Sequence, residues 1–432
     1  MAARAEAAVA AMRTDAAVAL ARAVAAAAAL SLTVSGLAAG GLELADARPR
    51  PSHDVPPLPR ADAQAVGLQP LKLRDAHALL VRYVDEHRIA GAVAAVARHG
   101  KLAWLDAVGM QDLETRTPMS DRAIFRIYSM SKPVTAVAAM MLQEQGRFAL
   151  DDPVAKYLPA FNDVVVRSDA GGAVRPPARP VTVRDLMLHT SGLEHRTSEV
   201  YRTARVRSRD ITLPQFIANI VRVPLMDDPG ARYRYSEGTT VLGRLIEIWS
   251  GQPLDRFLDD RIFGPLRMVD TGFWARPEQR TRLTTVYSPA ESGGLKPIEI
   301  EDVPFTQKPV LLEGAVGLVS TAPDFLRFAQ MLLNKGELDG VRILRPATIE
   351  TMTKNGLSDA VLAARGGSMG WGLANVNVAL DSGEYGWDGT AGTIFWNDPA
   401  HDTVTILMTQ SVPPNPDSLR QRFKAIVAQA TE

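Results

Sequence analysis

Cysteine is absent from this chain of 432 residues, which excludes disulfides, thiolate metal sites and a cysteine nucleophile together. Net charge is absent as well, since 48 Lys and Arg balance 48 Asp and Glu. No basic surplus points to nucleic acid and no acidic tail appears. The seven histidines are scattered, with no His-Glu-x-x-His or similar spacing, so a protein metal site is not expected. Internal repeats are missing. The longest apolar run, residues 23–39, is marginal for a spanning helix, which needs about 20 residues. What remains is a chain long enough for one large domain or two, with ample core.

The N-terminal segment stands apart. Residues 1–47 are alanine-rich, with Arg4, Arg13 and Arg22 at or ahead of the apolar run and Ala45-Asp46-Ala47 as a small-x-small cleavage site. A Pro/Arg-rich stretch from Pro49 to Pro59 follows. The pattern is that of a secretory leader and linker, so an exported protein, periplasmic or secreted, is expected, with no stable membrane insertion after processing. A cytoplasmic protein with an alanine-rich extension, or a later start at Met12, is the alternative. Either way, residues 1–65 are expected to lie outside the catalytic fold.

Beyond this segment the hydrophobic periodicity predicts a helix over 74–87 and strands over 90–97 and 102–108, turned at His99-Gly100. An apolar helix follows from Pro133 towards Gly146. The middle reads as helices over 183–188, 213–221 and 240–250, with the basic stretch Arg202 to Arg209 as a solvated loop or helix face. Helices over 322–333 and 346–353 precede strands over 371–378, 384–387, 392–396 and 403–409, and a helix over 418–430 closes the chain. This order suggests an α/β (α+β) fold whose antiparallel sheet is flanked by helices and assembled from both ends. Residues 66–135 plus 310–432 would form it, with a mainly helical domain, 136–309, inserted and lining a cleft.

Three segments carry candidate chemistry. Ser129 and Lys132 are three residues apart, and no other serine has a lysine at that spacing. On a helix the pair shares one face, about 5–6 Å apart at Cβ. A serine hydroxyl needs a base, and a lysine serves if desolvation or a neighbouring cation lowers its pKa. Pro133 lacks an N–H and belongs in a first helical turn, so Ser129 is expected at a helix start, where free N–H groups favour an oxyanion. The plainer reading is an N-capping serine beside an incidental surface lysine. In the second segment, Pro229 to Glu237, Tyr235 is the candidate to share proton transfer and Tyr233 the fallback, although either could be structural. In the third, Trp387-Asp388-Gly389-Thr390, the glycine allows close approach to an edge strand. The Thr390 N–H could join that of Ser129 as an oxyanion hole. A glycine-rich turn beside a core tryptophan is the alternative.

Together, in this order, the three segments resemble the serine β-lactamase-like hydrolases, most of all the family VIII carboxylesterases related to class C β-lactamases and penicillin-binding proteins. The similarity covers roughly residues 70–430 and includes Leu150 to Val154, Leu188 to Leu193 and Gly314 to Thr321. The resemblance implies a β-lactamase/transpeptidase-like fold and no cofactor. It implies Ser129 as the acylated nucleophile, Lys132 and Tyr235 as the acid–base pair, and Trp387, Asp388, Gly389 and Thr390 on the oxyanion side. Penicillin-recognising relatives carry Lys-Thr-Gly where this chain has Trp387-Asp388-Gly389, so a substrate carboxylate loses its ammonium partner and meets Asp388 if that residue faces the site. Glu237 stands where such enzymes often have Asn. A small-molecule ester of short or medium acyl chain is the expected partner. The alternatives are an amide hydrolase (weak β-lactamase, D-aminopeptidase-like or oligoamide hydrolase), an acyltransferase, or a non-catalytic cell-wall-binding protein.

Overall fold

The computed structural model describes residues 57–168 and 173–431, so the leader-like segment lies outside the described residues. Helix α1 (Pro70–Asp85) starts on a proline, whose missing N–H costs nothing in a first turn. Strands β1 (Gly91–Arg98), β2 (Lys101–Asp112) and β3 (Thr117–Pro118) follow, and then helix α2 (Ser131–Glu144). The middle holds α3 (Val183–Leu188), α4 (Leu213–Ile220) and α5 (Gly238–Ser250). Thr182 with Asp185 and Thr212 with Gln215 form capping boxes that start α3 and α4. The last third holds α6 (Ala322–Leu333), β4 (Met369–Gly372), β5 (Val376–Ala379), β6 (Tyr385–Asp388), β7 (Ile394–Asp398), β8 (Thr403–Thr409) and α7 (Leu419–Thr431).

The eight strands form one antiparallel sheet in the order β4-β5-β6-β7-β8-β1-β2-β3, so the two ends of the chain meet where β8 pairs with β1. β1 is apolar and small on both faces because both are covered. Ala92, Ala94 and Val96 pack with Leu80 and Tyr83 of α1 and Phe423 of α7. Val93, Ala95 and Ala97 face the larger core that holds α2 and α6. Every residue of α2 from Ser131 to Leu142 is buried, as its lack of a polar face requires.

Three expectations change. Residues 57–65, expected to lie outside the catalytic fold, lie on it: Leu58 is in the core and the chain there bonds to Leu102 through Pro59 and Ala61. The strand expected over 371–378 is two, because Asn375 adopts φ 58° and turns the chain between β4 and β5. Asn tolerates that left-handed conformation better than most residues. The stretch Arg202 to Arg209 is not a solvated face throughout. Arg207 pairs with Glu313 and Glu301, and Arg209 is buried over the Phe305 ring. Distant carboxylates offset the desolvation that the local sequence made unlikely.

Candidate active site

The chain enters the site from a short antiparallel pairing of Phe125 and Arg126 with Ser320 and Val319. The Ile127 N–H donates to the Leu318 carbonyl at 3.1 Å, and a single turn, Tyr128–Met130, then leads into α2. Tyr128 has φ 41°, a left-handed conformation that costs a non-glycine residue about 1–2 kcal/mol. Its buried ring is held edge-on against Phe305, with the Arg196 guanidinium 5.5 Å from its centroid. This fixed turn presents Ser129. Met130 occupies the cap position of α2 and no side chain caps the helix, so the capping-serine reading fails.

Lys132, in the first turn of α2, has no solvent exposure. Its Nζ lies 3.4 Å from Ser129 Oγ and 3.1 Å from the Ala315 carbonyl, two neutral oxygens. Burial pulls the ammonium down to about 8, with Arg196 pushing the same way against Glu237, Glu313 and Asp388. The Ala315 carbonyl is itself well anchored. Gly314 O accepts from Thr135 Oγ1 at 2.8 Å, and Glu313 is gripped by both Nε and Nη2 of Arg207 at 2.6 Å. Arg207 and Arg196 share Glu301 at 2.7 and 2.8 Å. The middle of the chain thus fixes the acceptor that holds the lysine.

Of the two candidate tyrosines, the structure brings Tyr235 to this pair. Lys132 Nζ sits 4.5 Å from its ring centroid. Its hydroxyl oxygen accepts from Trp387 Nε1 at 3.0 Å. Burial pushes the phenol above its ordinary value, against the hydrogen bonds from Ser129 and Trp387 that draw it down. Tyr233 instead lies under the Arg365 guanidinium, 4.2 Å from it, and beside Trp371.

The third segment meets the first at Gly389. A Cβ there would stand 2.4 Å from the Ile127 carbonyl oxygen and 2.4 Å from Thr393 Oγ1, so only glycine lets the end of β6 reach the turn before Ser129. Among the described residues, no acceptor takes the N–H of Thr390. Asp388 does not stand free toward the site: Arg420 of α7 donates to its Oδ2 at 2.7 Å, and to the Gly389 and Thr393 carbonyls at 2.9 and 3.2 Å. Glu237 is buried at the N-terminus of α5, where a carboxylate suits the helix dipole. Its Oε2 accepts from Thr240 Oγ1 at 2.6 Å, and its Oε1 has no partner among the described residues.

Sequence reasoning missed His189, His195 and Trp371, which join Trp387 in an aromatic wall around Tyr235. His189, His195 and Trp387 lie with ring centroids 4.7, 5.5 and 5.2 Å from it, and Trp371 packs on Trp387 at 4.6 Å. His189 takes a left-handed φ of 56° at the end of α3, and its Nδ1 accepts from the Ser236 N–H at 3.3 Å, steadying the residue beside Tyr235. Burial drives its pKa well down, so it is neutral. No cluster of three or more His, Cys, Asp or Glu suited to a metal occurs among the described residues. The arrangement supplies a hydroxyl, a lysine poised near neutrality, a phenol and an unspent backbone N–H.

Comparisons with known proteins bear on the family and the fold. The family model described as Beta-lactamase matches residues 76–430. An uncharacterized protein of Mycobacterium tuberculosis is 33% identical over 356 residues, spanning 76% of this chain and 88% of its own. Esterase EstB of Burkholderia gladioli is 29% identical, over 76% of this chain and 87% of its own. Among solved structures, EstCE1, described as a hydrolase with promiscuous acyltransferase activity, aligns with a TM-score of 0.72 and 26% identity, over 85% of this chain and 99% of its own.

Proposed function

The chain belongs to the beta-lactamase family and has its β-lactamase/transpeptidase-like fold, and from that premise we propose a serine hydrolase that cleaves small carboxylic esters through an acyl-enzyme on Ser129. The observation that carries the reading is Lys132: fully buried, drawn down to about 8, and 3.4 Å from Ser129 Oγ. Its neutral amine takes the hydroxyl proton as Ser129 Oγ bonds to the acyl carbon. The carbonyl oxygen becomes an oxyanion, received by the N–H groups of Ser129 and Thr390. When the carbon–oxygen bond to the alcohol breaks, the leaving oxygen takes a proton from Tyr235, which is replenished from Lys132. Water then enters along the same relay in reverse, yielding the acid and free Ser129.

The preference for esters rests on the third segment. Where penicillin-recognising relatives offer an ammonium, this chain offers the Trp387 indole, and the neighbouring Asp388 is neutralised by Arg420. A substrate carboxylate finds no cationic partner in that segment that is not already paired, which is worth about 1.5–3 kcal/mol. The likeness to Esterase EstB supports the same choice. The deciding comparison is turnover of p-nitrophenyl butyrate and a chromogenic cephalosporin by wild type and Ser129→Ala. The ester should be strongly preferred and its turnover lost in the variant. A strong preference for the cephalosporin overturns the ester assignment, and turnover surviving in purified Ser129→Ala overturns the nucleophile. The likeness to EstCE1 favours acyl transfer as a second reading. Added alcohols should then yield new esters at the expense of acid.

A further inference from the structure

His195 follows the Leu188 to Leu193 turn and has no part in the relay above. Its ring stacks on Tyr235, with centroids 5.5 Å apart and planes within 26°. Lys132 Nζ lies 4.5 Å from the same Tyr235 centroid, so both groups pack against one ring. The hydrogen bonds assign the tautomer. The backbone N–H of Thr197 donates to His195 Nδ1 at 3.3 Å, which requires a lone pair on that nitrogen. Thr197 Oγ1 lies 2.7 Å from the same atom and, with Nδ1 accepting, its hydroxyl shares that lone pair. With Nδ1 accepting, the proton of the neutral ring resides on Nε2. Burial, Lys132 and Arg196 draw the imidazole down to about 4, so the ring is neutral near pH 7. Nε2 bonds to no described residue, yet it is not among the buried unpaired atoms, so its N–H is open to solvent.

A packed, tautomer-fixed imidazole with an open N–H beside the reaction centre is a preformed donor. We propose that His195 determines substrate specificity by donating its Nε2–H to an oxygen of the substrate outside the reacting ester, an ether, carbonyl or hydroxyl oxygen. The natural substrate class is then oxygen-bearing esters rather than purely hydrocarbon ones. The ring reaches this role without rearrangement, because Thr197 fixes one edge and Tyr235 one face. A donor that is held in place spends less ordering entropy on binding than a mobile one.

This proposal rests on the ester-hydrolase reading, and its test separates the two. Two isosteric pairs place an ether oxygen in place of a methylene. On the acyl side they are p-nitrophenyl 3-methoxypropanoate and p-nitrophenyl pentanoate; on the alcohol side, 2-methoxyethyl butyrate and n-butyl butyrate. For each pair the ratio of kcat/KM, ether over methylene, is divided by the same ratio for hydroxide. In wild type the normalised ratio should be about fivefold to tenfold in at least one pair, as one neutral hydrogen bond provides. In His195→Phe, which keeps a stacked ring but has no donor, it should fall to about one, and His195→Gln should restore part of it. Turnover with the same ratios in wild type and His195→Phe overturns this proposal alone. Absence of Ser129-dependent ester turnover brings down the hydrolase reading and this proposal with it. Nitrogen-15 NMR of histidine-labelled protein, assigned by loss of a signal in His195→Phe, gives a readout independent of turnover. It should show a neutral Nε2–H ring at pH 7, and an Nδ1–H tautomer overturns the proposal.

Discussion

Replacing Lys132 with methionine should abolish ester turnover and also remove a pH dependence from stability. In the folded chain the lysine is fully buried and titrates at about 8, down from 10.5. Between those values the unfolded chain holds the proton and the folded chain does not. Stability therefore rises with pH across that window, and the contribution is fully lost below about 8. The fall from 10.5 to about 8, at about 1.4 kcal/mol per pH unit, amounts to about 3 kcal/mol. About 2 kcal/mol of it should appear between pH 7 and pH 9.5. Methionine is similar in length and does not titrate. It leaves the Ala315 carbonyl without the 3.1 Å bond from Nζ, a loss of about 1–3 kcal/mol that does not depend on pH. The informative quantity is therefore the difference between the two proteins. Urea unfolding should show wild type gaining about 2 kcal/mol on Lys132→Met between pH 7 and pH 9.5. Parallel stability curves refute a depressed lysine. Turnover reports the same group: wild-type kcat/KM for a p-nitrophenyl ester should climb with pH and level off above about 8, where the amine is neutral.

Tyr235→Phe should lower kcat/KM by about 10²–10⁴, and more for n-butyl butyrate than for p-nitrophenyl butyrate, because only the alkoxide needs a proton to leave. Equal losses on both esters mean that Tyr235 is not the donor. Gly389→Ala places a Cβ 2.4 Å from the Ile127 carbonyl oxygen and should cost about 1–3 kcal/mol in urea unfolding, along with most of the turnover. Unchanged unfolding and rate would show that the turn before Ser129 yields freely. Arg207→Ala strips Glu313 of its bidentate partner and should destabilise the protein by about 3–5 kcal/mol, because that carboxylate is 1% exposed. A loss below about 1 kcal/mol means the network is hydrated rather than sealed.

The parts legible in the sequence were those with a local signal. An apolar run behind Pro133 marked α2, the Ser129 and Lys132 spacing marked its start, and alternating or apolar runs marked most of the sheet. Tyr235 was already preferred to Tyr233 in the sequence, but the neighbours that separate the two, Lys132 for one and Arg365 for the other, are visible only in the structure. The Ala315 acceptor was invisible because a backbone carbonyl has no sequence signature. The Arg207 pairs span 106 and 94 residues, beyond any local pattern, which is why a buried network was read as a solvated stretch. His195 was passed over for a related reason. Its tautomer depends on a turn two residues long and its place on a ring 40 residues away in sequence.

The central claim is that Ser129 forms the acyl-enzyme with Lys132 as its base. The most direct measurement is intact-mass and peptide-mapping mass spectrometry after brief exposure to a p-nitrophenyl alkylphosphonate. One adduct per chain on Ser129, formed faster as the pH rises through about 8 and nearly absent in Lys132→Met, is the predicted result. A stoichiometric adduct on another residue, or equal labelling of Ser129 in Lys132→Met, contradicts it.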